Sequence, residues 1–153
     1  MRIEVDDEAV KRGIEGEEQY MQTSEQAGGQ TNVRILYARP AELAAIDEVV
    51  KGYLHILSVT RLPEEYATLF TLLYAFHQRY WPLLEREQGE ELLSIETTAA
   101  ELIAFGGAIL HYGQFWYGNE RAWQAVRTAF AVYERYGHAR RIKSMVERYG
   151  GDE

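Results

Sequence analysis

The chain of 153 residues contains no cysteine. This absence excludes disulfides, thiolate metal sites and a thiol nucleophile, and it gives no sign of secretion. The N-terminal sequence MRIEVDDEAV also lacks the apolar core of a signal peptide, so we expect a cytoplasmic protein. A chain of this length fits one domain, which can bury about two thirds of its unfolded surface without disulfides or metals.

Local motifs of catalysis and cofactor binding are missing as well. The sequence has no GxSxG elbow, no phosphate loop of the form GxxxxGK[ST] and no GxGxxG after a strand. The four histidines fall on separate predicted helices, and none has a second histidine or an acidic residue at metal-binding spacing. We therefore expect no catalytic residues, no metal and no cofactor. A carboxylate pair such as Glu64 and Glu65 is better explained as first-turn acids that favour the helix dipole.

Positive charge is scarce except near the C-terminus. The net charge is −8, with −5 over residues 1–32, −5 over 33–118 and +2 over 119–153. An acidic body is repelled by phosphate backbones, so nucleic acid could be contacted only through the C-terminal end. The same acidity would suit a basic protein surface.

The chain divides near residue 32. The segments MRIEV and NVRILY alternate enough to be short strands, and the charged stretch between them is a helix candidate that ends in the polar linker TSEQAGGQTN. We predict an acidic appendage over residues 1–32 and a helical domain over 33–153. The appendage either pairs Met1–Val5 with Val33–Tyr37 as a small N-terminal ribbon, which we favour, or is mobile.

Helical signals dominate from Pro40 onward. Pro40 and Pro63 suit a first helical turn, Asn119 suits an N-cap, and Gly137 suits a helix end. The predicted fold class is mainly α, a single bundle of about five helices. These cover residues 41–58, 63–80, 95–116, 120–136 and 138–149, with a short helical piece at 82–88 after a break at Trp81–Pro82.

Two predicted helices have few charges. No charged residue occurs between Glu65 and Arg79, and residues 102–119 carry no formal charge. The second segment is nearly long enough to cross a bilayer, but its polar residues and glycines make insertion unfavourable, so we expect no membrane association. We interpret it as the central helix, in which Gly106 and Gly113 let a neighbouring helix approach closely.

A domain of this size can bury one helix that is apolar on all sides. If a second helix is also apolar on all sides, a stripe of its apolar side chains should lie near the surface. The sequence therefore predicts a non-catalytic interaction module, acting as a homo-oligomer, as a regulator that docks on a larger protein, or as a small subunit of an assembly. The predicted partner-binding residues are aromatic, as interface centres often are: Phe70, Tyr74, His77, Trp81, Trp116 and Tyr117. Core packing of the same residues stays open.

Two alternatives stay open beside this hypothesis. The first is nucleic-acid association through the basic C-terminal helix, with Arg140, Arg141, Lys143 and Arg148 as candidate contacts. The second is a small-molecule sensor or enzyme with an aromatic pocket. That pocket would be lined by Phe105, Gly106, His111 and Trp116.

Overall fold

A computed structural model describes residues 7–26, 33–60, 65–85, 91–115 and 118–145 of the chain. These residues form five helices and one small antiparallel sheet, which confirms the mainly α fold class. In chain order the elements are α1 (Asp7–Gln26), β1 (Val33–Ala38), α2 (Pro40–Val59), α3 (Glu65–Leu84), β2 (Leu93–Thr98), α4 (Ala99–Phe115) and α5 (Glu120–Met145).

The central element is α4, which contacts each of the other four helices. It is apolar most of the way round, and a helix of this kind needs neighbours on every side. The ring of Phe105 is fully buried, with its centroid 5.0 Å from that of Phe76 in α3 and 5.9 Å from that of Tyr133 in α5. Most residues from 102 to 113 are buried and form the centre of the core. No helix in the described part of the chain is long and apolar enough to cross a membrane.

Glycines set the distance between α1, α4 and α5. A Cβ on Gly106 would lie 2.8 Å from the hydroxyl oxygen of Tyr133, and a Cβ on Gly13 would lie 2.7 Å from its ring. Such contacts are too short for real side chains, so the ring of Tyr133 fits only because both positions are glycine. The packing interpretation therefore holds for Gly106. At Gly113 the nearest atom would be 3.4 Å away, which is close to an ordinary contact.

Helix α1 lies in the predicted appendage but contributes to the core. It packs on α4 and α5, and Val10 is fully buried. The buried carboxylate of Glu17 accepts a hydrogen bond of 3.1 Å from the hydroxyl of Tyr136 and lies 3.9 Å from the guanidinium of Arg34 in β1. These contacts hold α1 against the rest of the fold. A domain boundary near residue 32 and mobility of the segment stay predictions.

The sheet pairs strands that are distant in the sequence. Val33 lies opposite Thr98 and Ala38 opposite Leu93, in antiparallel register. The prediction of a helix over 95–116 is wrong at its start, because Ile95 and Thr97 alternate inward and β-branched residues fit a pleated strand. The ribbon therefore takes its second strand from the middle of the chain. The partner predicted for β1, Met1–Val5, lies outside the described residues.

Helix boundaries match the prediction at some caps and differ at others. Helix α2 begins at Pro40 as expected, and the side-chain oxygen of Asn119 accepts a hydrogen bond of 3.0 Å from the backbone N–H of Ala122, which confirms the predicted N-cap of α5. Pro63 lies outside the described residues.

Two predicted helix ends are wrong. Helix α3 continues through Pro82 and ends two residues later, at Leu84. The proline removes one backbone hydrogen bond of the helix, but only two helical residues follow it. Helix α5 continues through Gly137, so residues 120–145 form one helix rather than two. Gly137 does not take the positive φ of a C-terminal cap, and a glycine inside a helix costs only about 1 kcal/mol.

Candidate interaction surface

Helix α3 divides its large side chains between the core and the surface. Leu73, Phe76 and Tyr80 are fully buried against α2, α4 and β2. The neighbouring stripe points away from them: Tyr74 is 50% exposed and Trp81 is 39% exposed. We call the four residues of this second stripe, Phe70, Tyr74, His77 and Trp81, the aromatic surface of α3.

Ring contacts order one end of the aromatic surface. The rings of Phe70 and Tyr74 are nearly parallel, at 9°, with centroids 6.3 Å apart, and the imidazole of His77 lies 6.1 Å from the ring of Tyr74. Phe70 and His77 are half-buried, so contacts on their buried sides hold these two side chains in position. The ring of Tyr74 is more exposed than either of them. A rigid aromatic side chain that is already ordered loses little entropy when a partner covers it.

Polar contacts with α2 hold His77 in place. Its Nε2 lies 3.7 Å from Oδ1 of Asp47, and the same carboxylate accepts a hydrogen bond of 2.8 Å from the hydroxyl of Tyr80. The ammonium of Lys51 lies 3.3 Å from the other carboxylate oxygen. Burial lowers the pKa of His77 below its ordinary value, although Asp47 opposes this effect. The imidazole is therefore neutral at pH 7, and the aromatic surface carries no charge of its own.

A cavity of about 360 Å³ lies at the start of the same helix. It is an open cleft lined by the C-terminal halves of α2 and α4 and by Tyr66 of α3. His111 lines this cavity together with Tyr53, Gln114 and Phe115. His111 is also one of the residues of the aromatic pocket predicted for the small-molecule alternative. The hydroxyl of Tyr53 lies 2.7 Å from Nδ1 of His111.

The predicted pocket is wrong in two of its residues. Phe105 is buried between Phe76 and Tyr133, and the space beside Gly106 is occupied by Tyr133 and Ile14, so neither residue lines the cavity. Both lie deeper in α4 than His111. Trp116, the fourth predicted lining residue, lies outside the described residues.

The other predicted sites are described only in part. Trp116 and Tyr117, the proposed continuation of the aromatic surface, lie outside the described residues, as does Arg148. Arg140, Arg141 and Lys143 lie in the last turns of α5. Within the described ranges, no group of three or more histidines, aspartates and glutamates is arranged to hold a metal ion.

Two features were not predicted from the sequence. One is the pair of Tyr53 and His111, although a tyrosine on the buried face of α2 signals that its hydroxyl needs a partner. The other is the outer face of β1, where alternate apolar residues are exposed. Its residues are Val33, Ile35 and Tyr37.

Comparisons of the chain with protein-family models, with curated proteins and with solved structures find no match.

Proposed function

We propose that the protein is a non-catalytic, cytoplasmic interaction module, a helical bundle that docks on a partner protein through the aromatic surface of α3. The partner is a larger protein or assembly on which this chain acts as a regulator or small subunit. A second copy of the chain is the simplest variant of the same proposal. In each case the contact is made by ordered aromatic side chains on a rigid helix.

The observation that carries the proposal is the exposure of Tyr74 and Trp81. Both lie on a stripe of α3 that faces away from its buried residues Leu73, Phe76 and Tyr80, so the exposed rings are not explained by core packing. Aromatic side chains are enriched at the centres of protein interfaces, where they supply much of the binding energy. Single exposed apolar residues are common on protein surfaces, but here the two lie on one stripe with Phe70 and His77.

The charge of the chain indicates the kind of partner. A net charge of −8 favours a binding surface with basic residues around its rim, because opposite charges steer two proteins together and exclude acidic competitors. The neutral imidazole of His77 and the rings beside it favour an apolar centre. The expected partner surface is therefore an apolar groove flanked by lysine and arginine.

The double variant Tyr74→Ala, Trp81→Ala tests this proposal. Interface residues of this kind typically contribute about 2 kcal/mol or more each, which is about thirtyfold in affinity per residue. We expect the variant to stay folded by circular dichroism. It should have a smaller mass in light scattering if the partner is a second copy, or it should lose a partner that the natural chain retains.

Tyr37→Ala is the matched control, because Tyr37 is exposed to the same degree, 52%, but lies in β1. It should leave the mass and the partner unchanged. A folded double variant with unchanged mass and unchanged partners would contradict the proposal. Loss of association in Tyr37→Ala alone would place the contact on the ribbon instead.

Salt dependence separates this proposal from nucleic-acid binding through the end of α5. Docking through an apolar centre with a basic rim should weaken only moderately between low and physiological salt, whereas contacts of Arg140, Arg141 and Lys143 with phosphates would weaken steeply as counterions compete. A steep salt dependence that disappears when these three residues are replaced by alanine would favour the nucleic-acid alternative.

A further inference from the structure

The cavity between α2, α3 and α4 has a wall of apolar and aromatic side chains. Ile56 and Leu57 come from α2, Tyr66 from α3 and Phe115 from α4. None of its lining residues carries a formal charge at neutral pH when the histidine is neutral. Its volume of about 360 Å³ lies within the usual range of small-molecule sites, about 300–1,000 Å³.

A single hydrogen bond fixes the polar group of this cavity. Tyr53 is 5% exposed, and Nδ1 of His111, at 2.7 Å, is the only hydrogen-bond partner of its hydroxyl among the described residues. Burial raises the pKa of Tyr53 to about 12 and lowers the pKa of His111, so both groups are neutral at pH 7. If the hydroxyl did not donate its proton to Nδ1, no other group among the described residues would accept that proton. We therefore assign the donor role to the tyrosine and the acceptor role to Nδ1.

This assignment determines the other ring nitrogen. A neutral imidazole has one proton, so when Nδ1 accepts, Nε2 must carry the N–H and act as a donor. Among the described residues no group accepts a hydrogen bond from Nε2. His111 lines the cavity, and binding through this N–H requires that it be directed into the cavity. The buried tyrosine thus acts as a positioning residue that fixes the histidine as a donor.

We propose that this cavity binds a small, uncharged, aromatic molecule that presents a carbonyl or similar acceptor to Nε2 of His111. The uncharged lining disfavours an ionic ligand, because no described lining residue would compensate its charge on desolvation. The rings of Tyr66 and Phe115 are suited to a flat aromatic body. The side-chain amide of Gln114 adds a second polar group at the rim. This cavity is separate from the aromatic surface of α3, and ligand binding in it does not depend on docking to a partner protein.

The neutral fluorophore prodan, a naphthalene with a ketone, is a suitable probe. Its emission shifts to the blue when it leaves water and responds to hydrogen bonding at its carbonyl. Titration of the whole chain should give a saturable blue shift with one site per chain. The variant His111→Phe retains a flat ring but has no donor, so it should bind prodan about tenfold more weakly.

Tyr74→Ala is the control for binding elsewhere, because prodan could also adhere to the aromatic surface of α3. It should leave the titration unchanged. Absence of saturation in the natural chain, equal binding by folded His111→Phe, or loss of binding in Tyr74→Ala would each overturn the proposal.

A measurement on the natural chain makes the test independent of how His111→Phe folds. In a sample labelled with ¹⁵N-histidine, the Nε2 resonance of His111 should have the shift of a protonated nitrogen and should move as prodan is added. The Nδ1 resonance should keep the shift of an acceptor. An Nε2 resonance that is unprotonated, or that does not move at saturating prodan, would overturn the proposal.

Discussion

The ring of Tyr112 in α4 occupies the space where a side chain on Gly52 of α2 would begin. A Cβ at Gly52 would overlap the ring atom Cε1 and would lie 2.9 Å from Cζ. This contact brings α2 and α4 together beside the hydrogen bond of 2.7 Å between Tyr53, which follows Gly52, and His111, which precedes Tyr112. One glycine therefore sets the geometry of the cavity.

Gly52→Ala is expected to destabilise the protein by about 1–3 kcal/mol, because the buried ring of Tyr112 must move to admit the methyl group. Gly107→Ala is the matched control. Nothing lies within 4 Å of a Cβ at Gly107, so there the higher helix propensity of alanine should stabilise by up to about 1 kcal/mol. Urea unfolding curves of the two variants give both values. Equal effects of the two substitutions would contradict the assigned packing.

Removal of the cap of α5 should lower stability by about 1 kcal/mol. Asn119 accepts the backbone N–H of Ala122, and Asn119→Ala leaves this donor without its side-chain acceptor. The exposed residue Gln124, within the same helix, serves as the control, and Gln124→Ala should change the free energy of unfolding by less than about 0.5 kcal/mol. Thermal or urea unfolding measures both. If Asn119→Ala is as stable as the control, the cap contributes nothing in solution.

The two stripes of α3 should respond differently to truncation. Phe76→Ala removes a buried ring that contacts Tyr80 and Phe105, and it should cost about 3–5 kcal/mol. Tyr74→Ala, on the exposed stripe, should change the free energy of unfolding by about 0.5 kcal/mol or less. Chemical denaturation of dilute protein distinguishes these values. A large loss of stability in Tyr74→Ala would show that this ring is packed rather than exposed.

Stability should fall as the pH drops below about 6.5, because of His77 and His111. Burial lowers the pKa of both imidazoles below the ordinary value of 6.5, so here the unfolded chain binds more protons than the folded chain. Their contribution is present above that pH and is lost as the pH falls toward the lower folded pKa values. The lowered pKa of Glu42 acts only below its ordinary value of 4.5.

Urea unfolding at about pH 7.5 and about pH 5.5 measures this loss. His77→Phe and His111→Phe should each reduce the difference between the two pH values, since each removes one group that must be protonated on unfolding. An unchanged pH dependence in both variants would mean that neither histidine is held neutral by the fold.

Much of the fold follows from local patterns in the sequence. The bounds of α2 could be predicted because Pro40 marks its start and its apolar residues recur at helical spacing. The inner and outer stripes of α3 could be separated for the same reason. The sequence predicts a surface position for the stripe of Tyr74 but leaves core packing open, since the exposure of Tyr74 depends on which faces of α3 the distant elements α4 and β2 cover.

The errors arise where local signals were weak or misleading. Thr97 and Thr98 suggest a helix start, and the hydroxyl of Thr98 does accept the N–H of Glu101 at the beginning of α4. Both residues nevertheless belong to the end of a strand, because β1 supplies pairing partners 55 to 65 positions earlier in the chain. The pair of Tyr53 and His111 is equally non-local, because its members are 58 positions apart in the chain.

Photo-crosslinking from position 74 tests the central claim most directly. Tyr74 is replaced by p-benzoylphenylalanine, an aromatic residue that forms a covalent bond with a neighbouring molecule on illumination, and Tyr37 is replaced in the same way as the control. The account predicts an adduct of one discrete mass from position 74, either twice the mass of the chain or the chain plus one partner protein, and none from position 37. No adduct from position 74, or the same adducts from both positions, would contradict docking through the aromatic surface of α3.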